Sequence, residues 1–96
     1  MINFKPGCEN CDKDLPVAST EAMICAFECT FCRDCVTDVL HNVCPNCGGG
    51  FEKRPVLVGK FLAKYPPSTT RVLKPVNLEK FEPLLDQFKD VPAENR

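Results

Sequence analysis

The sequence predicts a small α+β domain held by metal rather than by a large apolar core, with a short helical extension behind it. Three observations lead there. The chain has 96 residues, and a polypeptide this short buries a smaller share of its surface than larger domains do. Its eight cysteines all stand between Cys8 and Cys47, in closely spaced pairs. Within the same stretch the apolar spacing changes from that of a hairpin to that of a helix.

The elements follow in chain order. Cys8-x2-Cys11 is a tight knuckle. Residues 21–27 read as a short strand and residues 28–31 as its return. Val36, Val39, Leu40 and Val43 recur at helical spacing over residues 33–43. Cys44-x2-Cys47 is a second knuckle, closed by Gly48-Gly49-Gly50. Phe51 is expected to pack back on Leu15, Ile24, Phe31, Val36 and Leu40. Residues 1–54 thus form the cross-linked domain, and residues 55–96 an extension with short helices. In that extension Leu57, Val58, Phe61, Leu62 and Tyr65 lie at helical spacing, and Pro66-Pro67 stops the run. Residues 66–77, with Pro66, Pro67 and Pro75, read as an extended linker. Leu78, Phe81, Leu84, Leu85 and Phe88 make an apolar stripe, and Pro83 places the helix start near Glu82. The stripe is expected to pack on its own domain; exposed, it would be a dimer or partner motif. Residues 91–96 are expected to fray.

The opening Met1-Ile2-Asn3-Phe4-Lys5-Pro6 has no apolar run of signal-peptide length, and no stretch is long enough to span a bilayer. The expected setting is cytoplasmic, away from membranes, where paired thiols read as metal ligands rather than disulfides. A Cys-x2-Cys knuckle aims two sulfurs at one tetrahedral ion with Zn–S bonds of about 2.3 Å. Four half-sites within forty residues make two complete sites, for two Zn²⁺ ions. Spacing leaves the grouping open. Cys8, Cys11, Cys25 and Cys29 could share one ion while Cys32, Cys35, Cys44 and Cys47 share the other. Alternatively the pairs interleave.

Knuckle, hairpin, helix and knuckle is the order of a treble-clef unit. The run Phe31-Cys32-Arg33-Asp34-Cys35, a helix, then Cys44-Pro45-Asn46-Cys47 resembles the central half of a RING finger, over residues 8–51. That resemblance implies the interleaved cross-brace: Cys8, Cys11, Cys32 and Cys35 in one site, and Cys25, Cys29, Cys44 and Cys47 in the other. Cys29 departs from the pattern, standing where most RING fingers have His. The whole chain also resembles a small bacterial family of cysteine-rich proteins of unknown function. Carrying stretches are residues 11–16 (CDKDLP), 27–32 (FECTFC) and 44–49 (CPNCGG), then residues 63–66 (AKYP) followed by Ser68-Thr69. This likeness implies zinc and a cytoplasmic setting, and no particular activity.

Several functions fit poorly. Eight sulfurs close two four-coordinate ions and leave no open position for catalysis. His41 is the only histidine and reads as the polar end of the helix, a cation suited to the dipole there, with a ligand role in place of Cys29 as the alternative. Asp12 and Asp14 read as a solvated turn. Cys25-x3-Cys29-x2-Cys32 matches radical-SAM ligand spacing, but the chain is far too short for the barrel such enzymes need. Ferredoxin spacing fails at the last gap. Ubiquitin-ligase activity, which the RING resemblance would suggest, lacks its anchors: Glu9 and Asn10 fill the first knuckle, there is no Trp, and Gly48 follows Cys47; only Pro45 is kept.

Charge is uneven. Residues 51–76 carry six basic side chains and one acidic, while residues 1–50 carry three and seven. Lys53, Arg54, Lys60, Lys64, Arg71 and Lys74 make nucleic-acid binding the alternative function, disfavoured because no aromatic platform accompanies them. The leading expectation is a non-enzymatic zinc module that binds another protein or itself.

Overall fold

The computed structural model describes residues 2–96. It is a small α+β fold built on a three-stranded antiparallel sheet in the order β2-β1-β3. β1 is Ala22–Ile24, β2 is Thr30–Cys32, and β3 is Glu52–Lys53. Ala22 faces Cys32 and Ile24 faces Thr30 across the first pair, and Met23 faces Lys53 across the second. The hairpin between β1 and β2 is closed by Cys25 and Cys29, with the Cys25 N–H bonded to the Cys29 carbonyl at 3.2 Å.

Helix α1, Arg33–Asp38, starts directly from β2, so Cys32 is at once the last strand residue and the N-cap. The helix is shorter than its apolar spacing predicts. Leu40 and Val43 are fully buried, but the chain reaches them through a left-handed turn. His41 and Asn42 have φ of 48° and 60°, a conformation that Asn and His tolerate better than most residues. The Leu40 and Asn42 N–H groups bond back to the Cys35 and Val36 carbonyls, which closes the helix end. Asn42 also accepts the Phe51 N–H through its side chain at 2.9 Å.

The core lies between sheet, α1 and the two knuckles. Phe31 and Phe51 meet edge to face with centroids 5.4 Å apart; Leu15, Val36 and Leu40 are buried in the same cluster. Ile24, expected there, is only half-buried. β3 was not expected, because two residues are too few to show a period.

The extension differs most from expectation. Between Val56 and Tyr65 only Gly59–Phe61 forms a 3₁₀ turn; Val56, Val58, Phe61, Leu62 and Tyr65 stay exposed and Leu57 is half-buried. Residues 66–77 are extended but tied down. The Ser68 N–H bonds the Phe4 carbonyl, the Lys74 N–H bonds the Glu9 carbonyl at 2.7 Å, and Arg71 bridges Asp12 and Asp14. Helix α2, Leu78–Phe88, starts a turn before Glu82. Its cap is Asn77, whose side chain accepts the Lys80 N–H, and Pro83 lies inside it. The cap and the burial of Phe81, which is 4% exposed, outweigh the backbone bond that Pro83 removes. Phe88 packs on Gly48, where φ is 76° and an added Cβ would come within 2.8 Å of the ring. Residues 91–96 do not fray: Ala93–Asn95 is a 3₁₀ turn, and Arg96 donates to the Asn42 and Gly48 carbonyls.

One buried cation organises the base of the sheet. Arg54 is 1% exposed. Its guanidinium donates to the Lys5, Leu15 and Pro16 carbonyls at 2.9–3.0 Å and lies over the Phe4 ring. Removing it leaves three carbonyls without their donors, and each such loss is costly inside a protein. Arg54→Ala is expected to lower unfolding free energy by about 3 kcal/mol or more. Arg54→Lys should recover little of this, since one ammonium cannot reproduce the planar fork. Urea denaturation of the three proteins measures both effects; a loss under about 1 kcal/mol for the alanine variant would contradict the assignment.

Candidate metal centres

The chain delivers its eight cysteines from four places. Cys8 and Cys11 sit in the first knuckle, where the Asp12 N–H returns to the Cys8 carbonyl at 3.0 Å and the Cys8 N–H to the Lys13 carbonyl at 2.9 Å. Cys25 and Cys29 close the hairpin. Cys32 and Cys35 lie at the β2–α1 junction, one strand length further on. Cys44 and Cys47 sit in the second knuckle, held by the Gly48 N–H on the Cys44 carbonyl and the Cys44 N–H on the Gly49 carbonyl, both at 2.8 Å.

The sulfurs of Cys8, Cys11, Cys32 and Cys35 lie within 4.8 Å of one another, as do those of Cys25, Cys44 and Cys47. All eight cysteines are free thiols. In the first group Cys11 Sγ and Cys32 Sγ are 3.7 Å apart, far beyond a disulfide bond of about 2.05 Å. A tetrahedral ion with bonds of about 2.3 Å sets its sulfurs about 3.8 Å apart. The first group therefore fits one four-coordinate ion. The second fits an ion with three thiols gathered. Cys29 stands next to them, in contact with Cys25 but outside the tight group. His41, the alternative fourth ligand, is exposed beyond the end of α1 and joins neither group.

Burial of soft, ionisable groups is the electrostatic signature of both centres. Cys8, Cys32 and Cys35 are buried in the first, and Cys25 and Cys44 in the second. Burial pushes the Cys35 and Cys44 thiols well above the ordinary thiol range, and those of Cys29 and Cys32 upward as well. Cys11, at the surface, goes the other way. Desolvation is the largest single effect on it, but the hydrogen bonds from the Lys13 backbone and the neighbouring thiols together outweigh it. A bound cation would reverse the penalty on the buried thiols, because a coordinating thiol gives up its proton.

Two asparagines complete the centres, and sequence reasoning missed their role. Asn10 Nδ2 donates to Cys35 Sγ at 3.3 Å, and Asn46 Nδ2 donates to Cys29 Sγ at 3.4 Å. The Gly49 N–H adds a third bond, to Cys47 Sγ. Such donors orient ligands and spread their charge. A signal for them exists: both knuckles read Cys-x-Asn-Cys. Glu9 was missed as well. It is 4% exposed, and its carboxylate accepts the Thr30 N–H at 2.6 Å and faces Lys5. Of the six cations grouped by sequence, Arg54 is buried and Arg71 is paired with Asp12 and Asp14. The remaining four are Lys53, Lys60, Lys64 and Lys74, with Lys60 and Lys64 lying over Phe61 and Tyr65.

No helix among the described residues is long and apolar enough to cross a membrane. No solved structure matches the chain. A curated relative, the uncharacterized protein R02474 of Rhizobium meliloti (strain 1021), is 56% identical over 75 residues, which is 78% of this chain and 89% of that protein. Residues 1–57, which span both cysteine centres, match the model of a family described as a protein of unknown function. The chain belongs to that family, DUF1272.

Proposed function

We propose that this protein is a structural zinc module of RING-like, treble-clef type, without a catalytic role, that binds another protein or a second copy of itself. The observation that carries the reading is the interleaved gathering of the sulfurs, the first knuckle with the β2–α1 junction and the second with the hairpin. Cys8, Cys11, Cys32 and Cys35 would hold one Zn²⁺; Cys25, Cys29, Cys44 and Cys47 would hold the other. When bound, Zn²⁺ supplies cross-links and charge compensation, and four thiolates on each ion leave no position for substrate.

Support for the binding role comes from the extension. Of the nine large hydrophobics exposed among the described residues, seven lie within residues 56–73, and the others are Phe27 and Leu78. A patch so concentrated marks an interaction site more often than chance exposure does. It is presented rather than left loose, since Arg54 holds one end and Arg71 the other. Between Lys53 and Leu78 the sequence has no acidic residue, so the complementary partner is a protein with acidic and apolar surface. The nucleic-acid reading loses strength with Arg54 buried and Arg71 paired. A ligase reading finds less support still, because Glu9 and Asn10, where an apolar contact residue would stand, are engaged inside the molecule.

Two measurements test the metal. Elemental analysis of the purified protein is expected to give two zinc ions per chain. A strong chelator should then abolish the native circular dichroism, since structural zinc sites contribute on the order of 10–16 kcal/mol. Native dichroism in fully metal-free protein would sink the reading.

The pH dependence follows from the raised thiols. Below their folded pKa values Cys35, Cys44, Cys29 and Cys32 carry protons that zinc must displace, so affinity falls as pH falls. It stops rising only once pH passes those raised values. At the first centre the logarithm of apparent affinity should climb with pH by between about two and about four per unit from about pH 6 to 8. Competition titration at several pH values checks this; a flat profile would contradict thiolate ligation.

A further inference from the structure

The two cysteine centres are built alike and closed differently. In each, the asparagine of a Cys-x-Asn-Cys knuckle donates its amide to a sulfur of the opposing pair. Beyond that they diverge. The carbonyl oxygen of Asn10 is itself engaged, accepting the Val76 N–H at 2.9 Å. Beside it the Lys74 N–H bonds the Glu9 carbonyl. Arg71 grips the same knuckle through the Asp12 carboxylate at 2.9 Å, the Asp12 carbonyl at 2.8 Å and the Asp14 carboxylate at 2.9 Å. Residues 68–76 are thus a strap laid along the first knuckle, and one amide group joins strap to sulfur. Three of that centre's four cysteines are buried.

Among the described residues the second centre has no such strap tied to its asparagine. Helix α2 and Arg96 back its knuckle, but they touch Gly48 and the backbone carbonyls of Asn42 and Gly48. Cys47 is exposed, Cys29 is half-buried, and Asn46, which bonds Cys29, is exposed. Cys29 also lies outside the three sulfurs already gathered. An ion here has a less preorganised fourth ligand, and a competing ligand has two sulfurs within reach, against Cys11 alone at the first centre.

We propose that the second centre is the exchangeable one, losing its ion first to a chelator or a competing thiophilic cation, while the strap locks the first centre through Asn10. This rests on the reading of both clusters as metal centres. Exchange proceeds through attack on an accessible sulfur–metal bond. Asn10 is a positioning residue: it orients Cys35 and transmits the hold of the strap.

The test uses the full chain loaded with two equivalents of Zn²⁺, an excess of a chromogenic chelator, and pulses of iodoacetamide read by mass spectrometry. Iodoacetamide forms an S–C bond at each freed thiolate and releases iodide. One equivalent is expected to leave at least about ten times faster than the other, with Cys25, Cys29, Cys44 and Cys47 labelled in the fast phase. Asn10→Ala should speed the slow phase by about 10- to 100-fold, the range for loss of an outer-shell partner, and leave the fast phase unchanged. Arg71→Ala, which touches no cysteine, should also speed the slow phase alone, and it keeps the test intact if the Asn10 variant fails to fold. Release in a single phase, fast-phase labelling of Cys8, Cys11, Cys32 and Cys35, or a slow phase indifferent to Arg71→Ala overturns the proposal. A chain that never takes up two equivalents instead overturns the metal reading on which it stands.

Discussion

Strand β2 is the constraint on which the arrangement depends. It is three residues long, Thr30–Cys32, a rise of about 10 Å, and its two ends feed different sulfur clusters. Cys29 precedes it, at the hairpin whose Cys25 joins the second cluster; Cys32 ends it and belongs to the first. Because the clusters share this strand, neither knuckle can be placed independently of the other. Phe31, the central residue, is driven inward between them and meets Phe51. A small chain that cannot bury much apolar surface is tied together here by topology: one short strand joins the hairpin, the helix start and the sulfur clusters of both knuckles.

The extension completes this assembly rather than trailing from it. Arg54 closes the carbonyls of the chain's opening segment from the end of the sheet. Arg71 closes the first knuckle, and Phe81, Leu84, Leu85 and Phe88 pack on the core from α2. These contacts explain the polar first knuckle. Glu9 offers its carboxylate to Thr30 and its carbonyl to Lys74, and Asn10 serves a sulfur with one end of its amide and the strap with the other. An apolar residue at either place would keep the backbone bond to Lys74 but leave the Thr30 N–H or the Val76 N–H unmatched, a cost of about 1–3 kcal/mol for each buried group.

What the sequence revealed and what it hid divide along chain separation. Cysteine spacing, the hairpin and the helix start are local features, and they were legible. The burial of Arg54 was not. It stands beside Lys53 in the basic stretch of residues 51–76, and its partners lie 38 to 49 residues away. Asn10 meets Val76 across 66 residues, a contact that no local pattern encodes. Its bond to sulfur was within reach, through the asparagine repeated in the two knuckles. Two expectations failed for a shared reason. The apolar spacing of residues 56–65 and the Pro83 rule are both local, while helices are completed by what they pack against. Among the described residues nothing covers Val56, Val58, Phe61, Leu62 and Tyr65, and the segment stops at one turn. Helix α2 has the core beneath Phe81 and forms through its proline.

The same reasoning explains why near-identical knuckles behave as different environments. Metal-ligand geometry is set by the cysteines, but how firmly it is held depends on what restrains the atoms one bond further out. At the first knuckle those atoms are tied to a strap, and the strap to two carboxylates. At the second they face solvent on the sulfur side and helix α2 on the other. Equivalent ligand sets therefore need not hold equivalent ions. Part of the difference arises in residues 66–96, outside the cysteine pattern. A domain cut at residue 54 would keep every sulfur and lose the strap that holds the first centre.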